Sequence, residues 1–262
     1  MSGVALGIDI GGSGIKGAPV DLDSGALTAE RLRIPTPEPA TPESVAEVVA
    51  DISAHFTRLL SYDAIGVTVP AVVTQWLVRT AANIDPSWIG TDADALFSFR
   101  IGRPVHVVND ADAAGVAEAR FGAARGSTGL VIVTTLGTGI GSALLLDGAL
   151  IPNSELGHLQ VDGHDAETRA ASVVRDSEGL SWREWADRLQ RYYGALEDLL
   201  WPTLIVVGGG VSKKADKFVP LLHLRAPIVA AQLRNEAGIV GAAVLAAEQL
   251  AASTLTGPAD GG

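Results

Sequence analysis

The chain has 262 residues, 47% of them hydrophobic, and a formal net charge of −11. That length suits one large domain or two small ones, and it supplies a substantial core. The acidity argues against general nucleic-acid binding, and with no cysteine there can be no disulfide or thiolate metal site, which suits a cytoplasmic protein. No apolar run reaches the roughly 18 residues of a membrane span, and the opening MSGVALGIDIGG has no basic region, so neither membrane insertion nor a signal peptide is expected.

Residues 4–10 read as a strand that enters Gly11-Gly12-Ser13-Gly14. Residues 15–22 and 26–34 follow as strands about the turn Asp23-Ser24-Gly25, an antiparallel start to a sheet. The stretch from Gly12 to Gly17 formally fits GxGxxG, but that dinucleotide fingerprint must open a helix, and Ala18-Pro19-Val20-Asp21 does not continue one. No GxxxxGK[ST] loop is present. A proline-rich connector spans 35–42, and Thr41 then caps a helix over 42–59 with Pro42 in its first position. Residues 64–69 form a strand, 72–80 a hairpin, 83–88 a polar turn and 92–99 a short helix.

Val105, Val107 and Val108 mark a buried strand that stops at Asn109-Asp110, before an alanine-rich helix over 111–119. A carboxylate at the carboxyl end of a strand lies where open α/β sheets place ligands, and Asp110 can accept the proton of a hydroxyl attacking a phosphoryl group. The alternative is that Asp110 or Asp112 caps the helix. Residues 129–135 form a strand leading into Leu136-Gly137-Thr138-Gly139, then come a strand at 142–146, a turn at Asp147-Gly148, and 149–151. This repeats the beginning of the chain: Gly12-Ser13-Gly14-Ile15 matches Gly137-Thr138-Gly139-Ile140, and Asp23-Ser24-Gly25-Ala26-Leu27 matches Asp147-Gly148-Ala149-Leu150. The repeat implies two similar lobes facing each other across a cleft.

Glu155 and His158 are followed by a turn at 162–165 and a helix over 167–174. Ser181 and Glu184 form a capping box for a helix running to about Leu200, whose Trp182, Trp185 and Tyr192 read as core. A strand at 203–207 runs into Gly208-Gly209-Gly210, a helix begins over 212–218, and a last helix covers 237–252. Three glycine loops after apolar strands suit a phosphorylated ligand, because backbone N–H groups can close on phosphate oxygens. They comprise Gly11, Gly12, Ser13, Gly14 and Lys16, then Thr135, Gly137, Thr138 and Gly139, then Gly208, Gly209 and Gly210. Asp9 beside the first loop is placed to hold Mg²⁺, directly or through water. Glu155, His158 and Glu167 suit hydrogen bonds to sugar hydroxyls better than zinc, which would need further ligands; a structural Glu–His pair is the alternative.

The segments 6–17, 107–119, 134–144, 153–167 and 206–218, in that order, resemble the ROK family of sugar kinases, most narrowly its polyphosphate-using branch. The resemblance spans about residues 4–247 and implies an α/β, two-lobed actin-like and hexokinase-like (ribonuclease H-like) ATPase fold with duplicated lobes. One lobe would comprise 1–117 joined by a C-terminal helix at about 238–252, the other 118–237, with 253–262 a flexible tail. It implies phosphoryl transfer to the 6-hydroxyl of glucose, with mannose as a second acceptor, from polyphosphate or ATP with Mg²⁺, in a cytoplasmic homodimer. By resemblance Asp110 is the general base, Asn83, Asn109, Glu155, His158 and Glu167 hold the sugar, and the loops around Gly12 and Gly137 hold donor phosphates. Many relatives carry a cysteine-rich zinc motif where this chain has Val161-Asp162-Gly163-His164-Asp165, so no zinc is expected. Pro70-Ala71 and Thr74-Gln75-Trp76-Leu77 also depart from the family pattern. A polyphosphate track would draw on Lys16, Arg79, Lys213, Lys214, Lys217, Arg225 and Arg234. A strictly ATP-dependent glucose or mannose kinase and a non-catalytic sugar-binding regulator on the same fold stay open; the family's helix-turn-helix repressors do not, with five residues before Leu6.

Overall fold

The computed structural model describes residues 3–82 and 84–255. The chain divides into two units, one of residues 1–113 with 238–262, the other of 114–237. Asn83 and residues 256–262 lie outside the described residues.

The first unit runs β1 (Val4–Gly11), β2 (Gly14–Asp21), β3 (Leu32–Ile34), α1 (Pro42–Thr57), β4 (Ala64–Val69), the hairpin strands β5 (Val73–Thr74) and β6 (Leu77–Val78), α2 (Ala93–Ile101) and β7 (His106–Asn109). Helix α3 (Asp110–Phe121) then crosses into the second unit. The sheet order is β3-β2-β1-β4-β7. The first three strands are antiparallel, and β4 and β7 add in parallel. Helix α1 begins where the sequence signals it: Thr41 Oγ1 accepts the Ser44 N–H at 3.3 Å and Pro42 fills the first position. Its Val45, Val49, Ile52 and Phe56 pack with Leu6, Ile8, Val67, Trp88 and Phe97 into one core. Each such side chain contributes roughly 1.5–3 kcal/mol by leaving water.

The second unit repeats this plan. It runs β8 (Leu130–Leu136), β9 (Ile140–Leu146), β10 (Ala149–Ile151), a hairpin of β11 (Gln160–Val161) and β12 (His164–Asp165), α4 (Glu167–Ala170), α5 (Ser172–Ser177), α6 (Trp182–Leu200), β13 (Leu204–Gly208) and β14 (Ile228–Ala230). The order β10-β9-β8-β13-β14 carries the same succession of two antiparallel and two parallel pairings as the first sheet. The sequence repeat is therefore a repeat of strand topology. Trp185, Leu189, Tyr192 and Tyr193 of α6 pack against Ile205, Val207 and Phe218, so these aromatics are core, as their spacing predicts. Ser181 and Glu184 form the expected capping box.

Helix α7 (Ala237–Leu255) returns the chain to the first unit. It is three residues longer than the expected 237–252, so residues 253–255 are helical. With the turn before it, Arg234–Leu255 is long and apolar enough to cross a membrane by length and composition, with a mean hydropathy of 1.4. Here Ile239, Val240, Ala242 and Ala243 are buried.

Three other expected elements differ in kind or extent. The strand predicted over 26–34 narrows to β3, because the register shifts by two residues between Ile15↔Ile34 and Val20↔Leu27. Pro19 lacks the N–H that a continuous ladder needs there, so the intervening chain bulges. The helix predicted over 167–174 is two, α4 and α5, parted at Ala171 with ψ 151°. The segment expected to open a helix at 212–218 is instead a 3₁₀ turn, Gly210–Lys217.

Candidate functional site

In the first unit, Asn109 ends β7 opposite Val69, and its side chain begins α3. Its Oδ1 accepts the N–H of Ala111 at 2.9 Å and of Asp112 at 3.0 Å, while its Nδ2 donates to the Ala71 carbonyl at 3.1 Å. Asn109 is thus the N-cap, and the alternative that Asp110 or Asp112 fills that position is corrected. These bonds use Oδ1 twice and one of the two amide hydrogens, leaving one Nδ2–H for a ligand. Asp110 is the first residue of the helix, half-buried, with its Oδ1 2.9 Å from the Ala111 nitrogen.

The first glycine hairpin closes at the pair Gly11↔Gly14. Thr36 Oγ1 donates to the Gly11 carbonyl and Arg33 Nη2 to that of Ser13, both at 2.5 Å. Asp9 lies two residues before the turn, opposite both Lys16 and Thr68. Thr68 Oγ1 donates to its Oδ1 at 2.9 Å, and Lys16 Nζ lies 3.7 Å from its Oδ2. In the second unit Gly137 takes the equivalent place, and its carbonyl accepts from Ser172 Oγ at 3.0 Å and Val173 N at 3.2 Å. These two bonds hold the start of α5 and account for the break after α4.

The glycines differ in why they are glycine. Gly209 has φ +78° and a Cβ there would stand 2.4 Å from the Leu136 carbonyl oxygen. Gly12, Gly137 and Gly210 have neither a left-handed φ nor any atom within 4 Å of a Cβ. The chain itself does not require glycine at those three positions, whereas close approach of a ligand to the backbone would.

Among the candidate cations, Lys213, Lys214 and Lys217 are exposed on the 3₁₀ turn after Gly209. Lys214 Nζ and the Arg175 guanidinium lie 5.8 Å and 3.7 Å from the centre of the Trp182 ring. Arg79 is bound to Thr74, Nε to Oγ1 at 2.7 Å, and Arg234 lies before α7. Arg225 pairs with Asp198 at 3.0 Å and lies over Trp201, at the edge of a cavity of about 310 Å³. It precedes β14 as Trp201 precedes β13, so it occupies the opposite end of these parallel strands from Gly208–Gly210 and leaves the proposed track.

Also in the second unit, Glu155, His158 and Glu167 come together, joined by Asp165. His158 Nδ1 is 2.9 Å from Asp165 Oδ2 and 3.9 Å from Glu167 Oε1, and its Nε2 is 3.7 Å from Glu155 Oε2. Leu156–His158, preceded by Glu155, is a 3₁₀ turn set by Ser142, whose Oγ accepts the Leu156 N–H at 2.9 Å. Gly157 is obligatory, since a Cβ there would lie 2.1 Å from the Ile140 carbonyl oxygen. Glu167 Oε2 accepts the Ile140 N–H at 3.1 Å, which ties this cluster to the second glycine hairpin. Burial raises the Glu155 carboxyl above its ordinary value, and the hydrogen bond to Asp165 raises the His158 imidazole above its own. Among the described residues, His158, Asp165 and Glu167 bring ligand atoms within 4.8 Å of one another. A metal there would displace the 2.9 Å hydrogen bond between His158 and Asp165.

Sequence reading did not single out Asp165, Arg33, Thr68 or Ser142. Asp165 alone left a signal, two residues before Glu167 in a hairpin with an Asp-Gly turn.

Residues 5–172 match the profile of the ROK family. The chain is 52% identical over 240 residues to the polyphosphate glucokinase of Mycobacterium tuberculosis (strain CDC 1551 / Oshkosh), covering 91% of this chain and 89% of that protein. It is similar to the crystal structure of the inorganic polyphosphate/ATP-glucomannokinase from Arthrobacter sp. strain KM, at 57% identity and a TM-score of 0.91, over 95% of this chain and 100% of that one. It is also similar to a ROK family glucokinase from Streptomyces griseus in complex with glucose and AMPPNP, at 26% identity and a TM-score of 0.82, over 94% and 100% of the two chains.

Proposed function

The chain belongs to the ROK family, and on that premise we propose that it transfers a phosphoryl group from inorganic polyphosphate, or from ATP, to the 6-hydroxyl of glucose. The observation that carries this reading is the pair of topologically equivalent hairpins whose turn glycines, Gly12 and Gly137, are required by nothing in the chain. Such turns let a phosphate approach the backbone with no side chain in the way.

Asp110 is the general base on this reading. It takes the proton of the glucose 6-hydroxyl as that oxygen attacks the terminal phosphorus and the bond to the leaving phosphate breaks. Because Asn109 supports the helix start, the Asp110 carboxylate serves at this position without being the N-cap. Glu155, His158 and Glu167 bind the remaining hydroxyls, a carboxylate accepting and the imidazole accepting or donating. Asn109 offers its remaining Nδ2–H, and Asn83 completes the sugar set. Gly11, Gly12, Ser13, Gly14, Thr135, Thr138, Gly139 and Gly208–Gly210 line the donor with backbone, Gly137, whose N–H is bonded to the Gly139 carbonyl at 3.0 Å, leaves room for it, and Lys16, Lys213, Lys214 and Lys217 neutralise its chain. Arg33 braces the first loop at Ser13.

Asp9 suits Mg²⁺ held through water: Thr68 engages Oδ1, and Oδ2 faces Lys16 at 3.7 Å in a partly exposed position. Bound there, the ion would supply charge neutralisation to the donor phosphates. The name of the Arthrobacter relative supports ATP as a second donor and mannose as a second acceptor. The reading extends to a homodimer, which sedimentation would test, working in the reducing cytoplasm that a chain without cysteine suits.

The deciding experiment measures glucose 6-phosphate formation with nucleotide-free polyphosphate or with ATP at matched Mg²⁺. Faster turnover on polyphosphate is expected. Turnover on ATP alone would refute the donor assignment, and none on either would refute the activity.

A further inference from the structure

We propose that Asp165 is a positioning residue of the sugar site. One of its carboxylate oxygens holds the His158 imidazole with its proton on Nδ1, and the other pins the first turn of the helix that opens with Glu167. The proposal rests on the reading that His158 and Glu167 touch the sugar.

Asp165 is itself held on several sides. It ends β12, whose hairpin with β11 pairs Gln160↔Asp165 and Val161↔His164. The two turn residues between them, Asp162 and Gly163, have φ 52° and 79°, which suits a two-residue hairpin turn. Asp162 accepts two hydrogen bonds from Arg191 of α6, at 2.9 and 2.6 Å, so the hairpin tip is tied to the longest helix of this unit. On the other side of Asp165, the Ala166 N–H donates to the Leu159 carbonyl at 3.0 Å, and Thr168 Oγ1 donates to the Asp165 carbonyl at 2.7 Å.

From this mount the carboxylate works in two directions. Oδ2 lies 2.9 Å from His158 Nδ1, and Oδ1 accepts the Glu167 N–H at 3.2 Å. An ionised carboxylate has no proton to give, so Nδ1 must be the donor, and the neutral imidazole then presents Nε2 as a bare acceptor. Nε2 is 3.7 Å from Glu155 Oε2, too far for a hydrogen bond. An acceptor in that state binds a hydroxyl that donates, so the tautomer selects which way a sugar hydroxyl points. Asparagine has the same shape but one acceptor and one donor. With its oxygen toward the Glu167 N–H, its amide donates to Nδ1 and drives the imidazole proton to Nε2. With its oxygen toward His158, its amide faces the Glu167 N–H as a second donor. Asp165→Asn therefore cannot serve both partners.

The test joins spectroscopy with kinetics on the full-length enzyme. Above the pH at which the His158 imidazole loses its charge, read from its own ¹⁵N titration, long-range ¹H–¹⁵N spectra should place the proton on Nδ1 in the unmodified protein and on Nε2 in Asp165→Asn. In the same pH range Asp165→Asn should raise KM for glucose up to about tenfold, the upper scale of one neutral hydrogen bond, with KM for the donor unchanged. In a His158→Ala background the same substitution should change KM for glucose far less. An Nε2–H imidazole in the unmodified protein would overturn the proposal with no variant needed, and so would an undiminished Asp165→Asn effect in the His158→Ala background. His158→Ala that leaves KM for glucose unmoved would instead overturn the sugar-contact reading beneath it.

Discussion

Gly7 and Gly66 are register partners on the adjacent parallel strands β1 and β4, and the backbone of α7 lies directly against both. A Cβ on Gly7 would stand 1.9 Å from the Ile239 carbonyl oxygen, and one on Gly66 1.9 Å from that of Ala242. Neither neighbour is a flexible side-chain tip, so the helix would have to lift off the sheet. Gly7→Ala or Gly66→Ala should each cost about 1–3 kcal/mol or more, the range for overpacking, and lower Tm in a thermal melt. Gly12→Ala and Gly137→Ala meet no atom within 4 Å and should leave Tm nearly unchanged while raising KM for the phosphoryl donor. If both pairs behaved alike, the distinction between structural and ligand-facing glycines would fail.

Asp110 and Asn109 should separate in the same way. Asp110→Asn removes the base and should lower kcat by about 10²–10⁴-fold, the usual span for general-base catalysis. Glucose binding, followed by calorimetry, should persist. Asn109→Ala removes the cap of α3 and the bond to Ala71, and should cost about 1 kcal/mol or more in stability. An Asp110→Asn enzyme that kept its kcat would remove Asp110 from the chemistry.

The pH dependence follows from His158. Its pKa is raised above 6.5, first by the hydrogen bond to Asp165, so the folded state favours the charged imidazole. That contribution is fully present below the unfolded value and is lost as pH rises through the folded one. The gap in Tm between the unmodified protein and Asp165→Asn should therefore be wider near pH 6 than near pH 9. Burial raises Glu155 as well, so ionising it also costs stability as pH rises. Glu155→Gln should flatten that second trend and reduce the His158 component only slightly, since Glu155 is the smallest of the groups raising the imidazole. A Tm gap that widened toward pH 9 would reverse the assignment.

Much of this architecture is legible in the chain, for local reasons. Thr41 and Ser181 cap helices because short polar side chains reach the nearby N–H groups they satisfy. The repeat is visible because each glycine hairpin is contiguous in sequence. What escaped reading depends on pairing between distant segments. Thr68 reaches Asp9 only once β4 lies beside β1 in register, and Arg33 reaches Ser13 only once β3 folds back on β2. The break at Ala171 follows from Ser172 and Val173 donating to Gly137, a contact between residues 35 apart that no helical propensity encodes. The 3₁₀ turn after Gly209 is likewise local but uncommon: Ser212 bonds the Gly209 carbonyl through both its N–H and its hydroxyl, tightening the turn.

The donor track makes the last prediction. Lys213, Lys214 and Lys217 follow the carboxyl end of β13, where the Gly208–Gly210 loop lies, and Arg225 sits at the other end of that strand pair. A polyphosphate chain carries a charge on every unit and extends beyond the reacting phosphate, whereas ATP ends in a nucleoside. Exposed lysines near the loop should therefore matter more for the long donor. Replacing all three by alanine should raise KM for long-chain polyphosphate severalfold, with each exposed contact contributing about 0.2–1 kcal/mol, and should change KM for ATP less. Added salt should weaken polyphosphate binding in the unmodified enzyme and do so less in the triple variant, because screening acts on the charges that remain. Arg225→Ala should leave both donors untouched and lower stability only slightly, since its partners are Asp198 and Trp201. A rise in KM for polyphosphate on Arg225→Ala, with none from the lysines, would move the track to the other end of the strands.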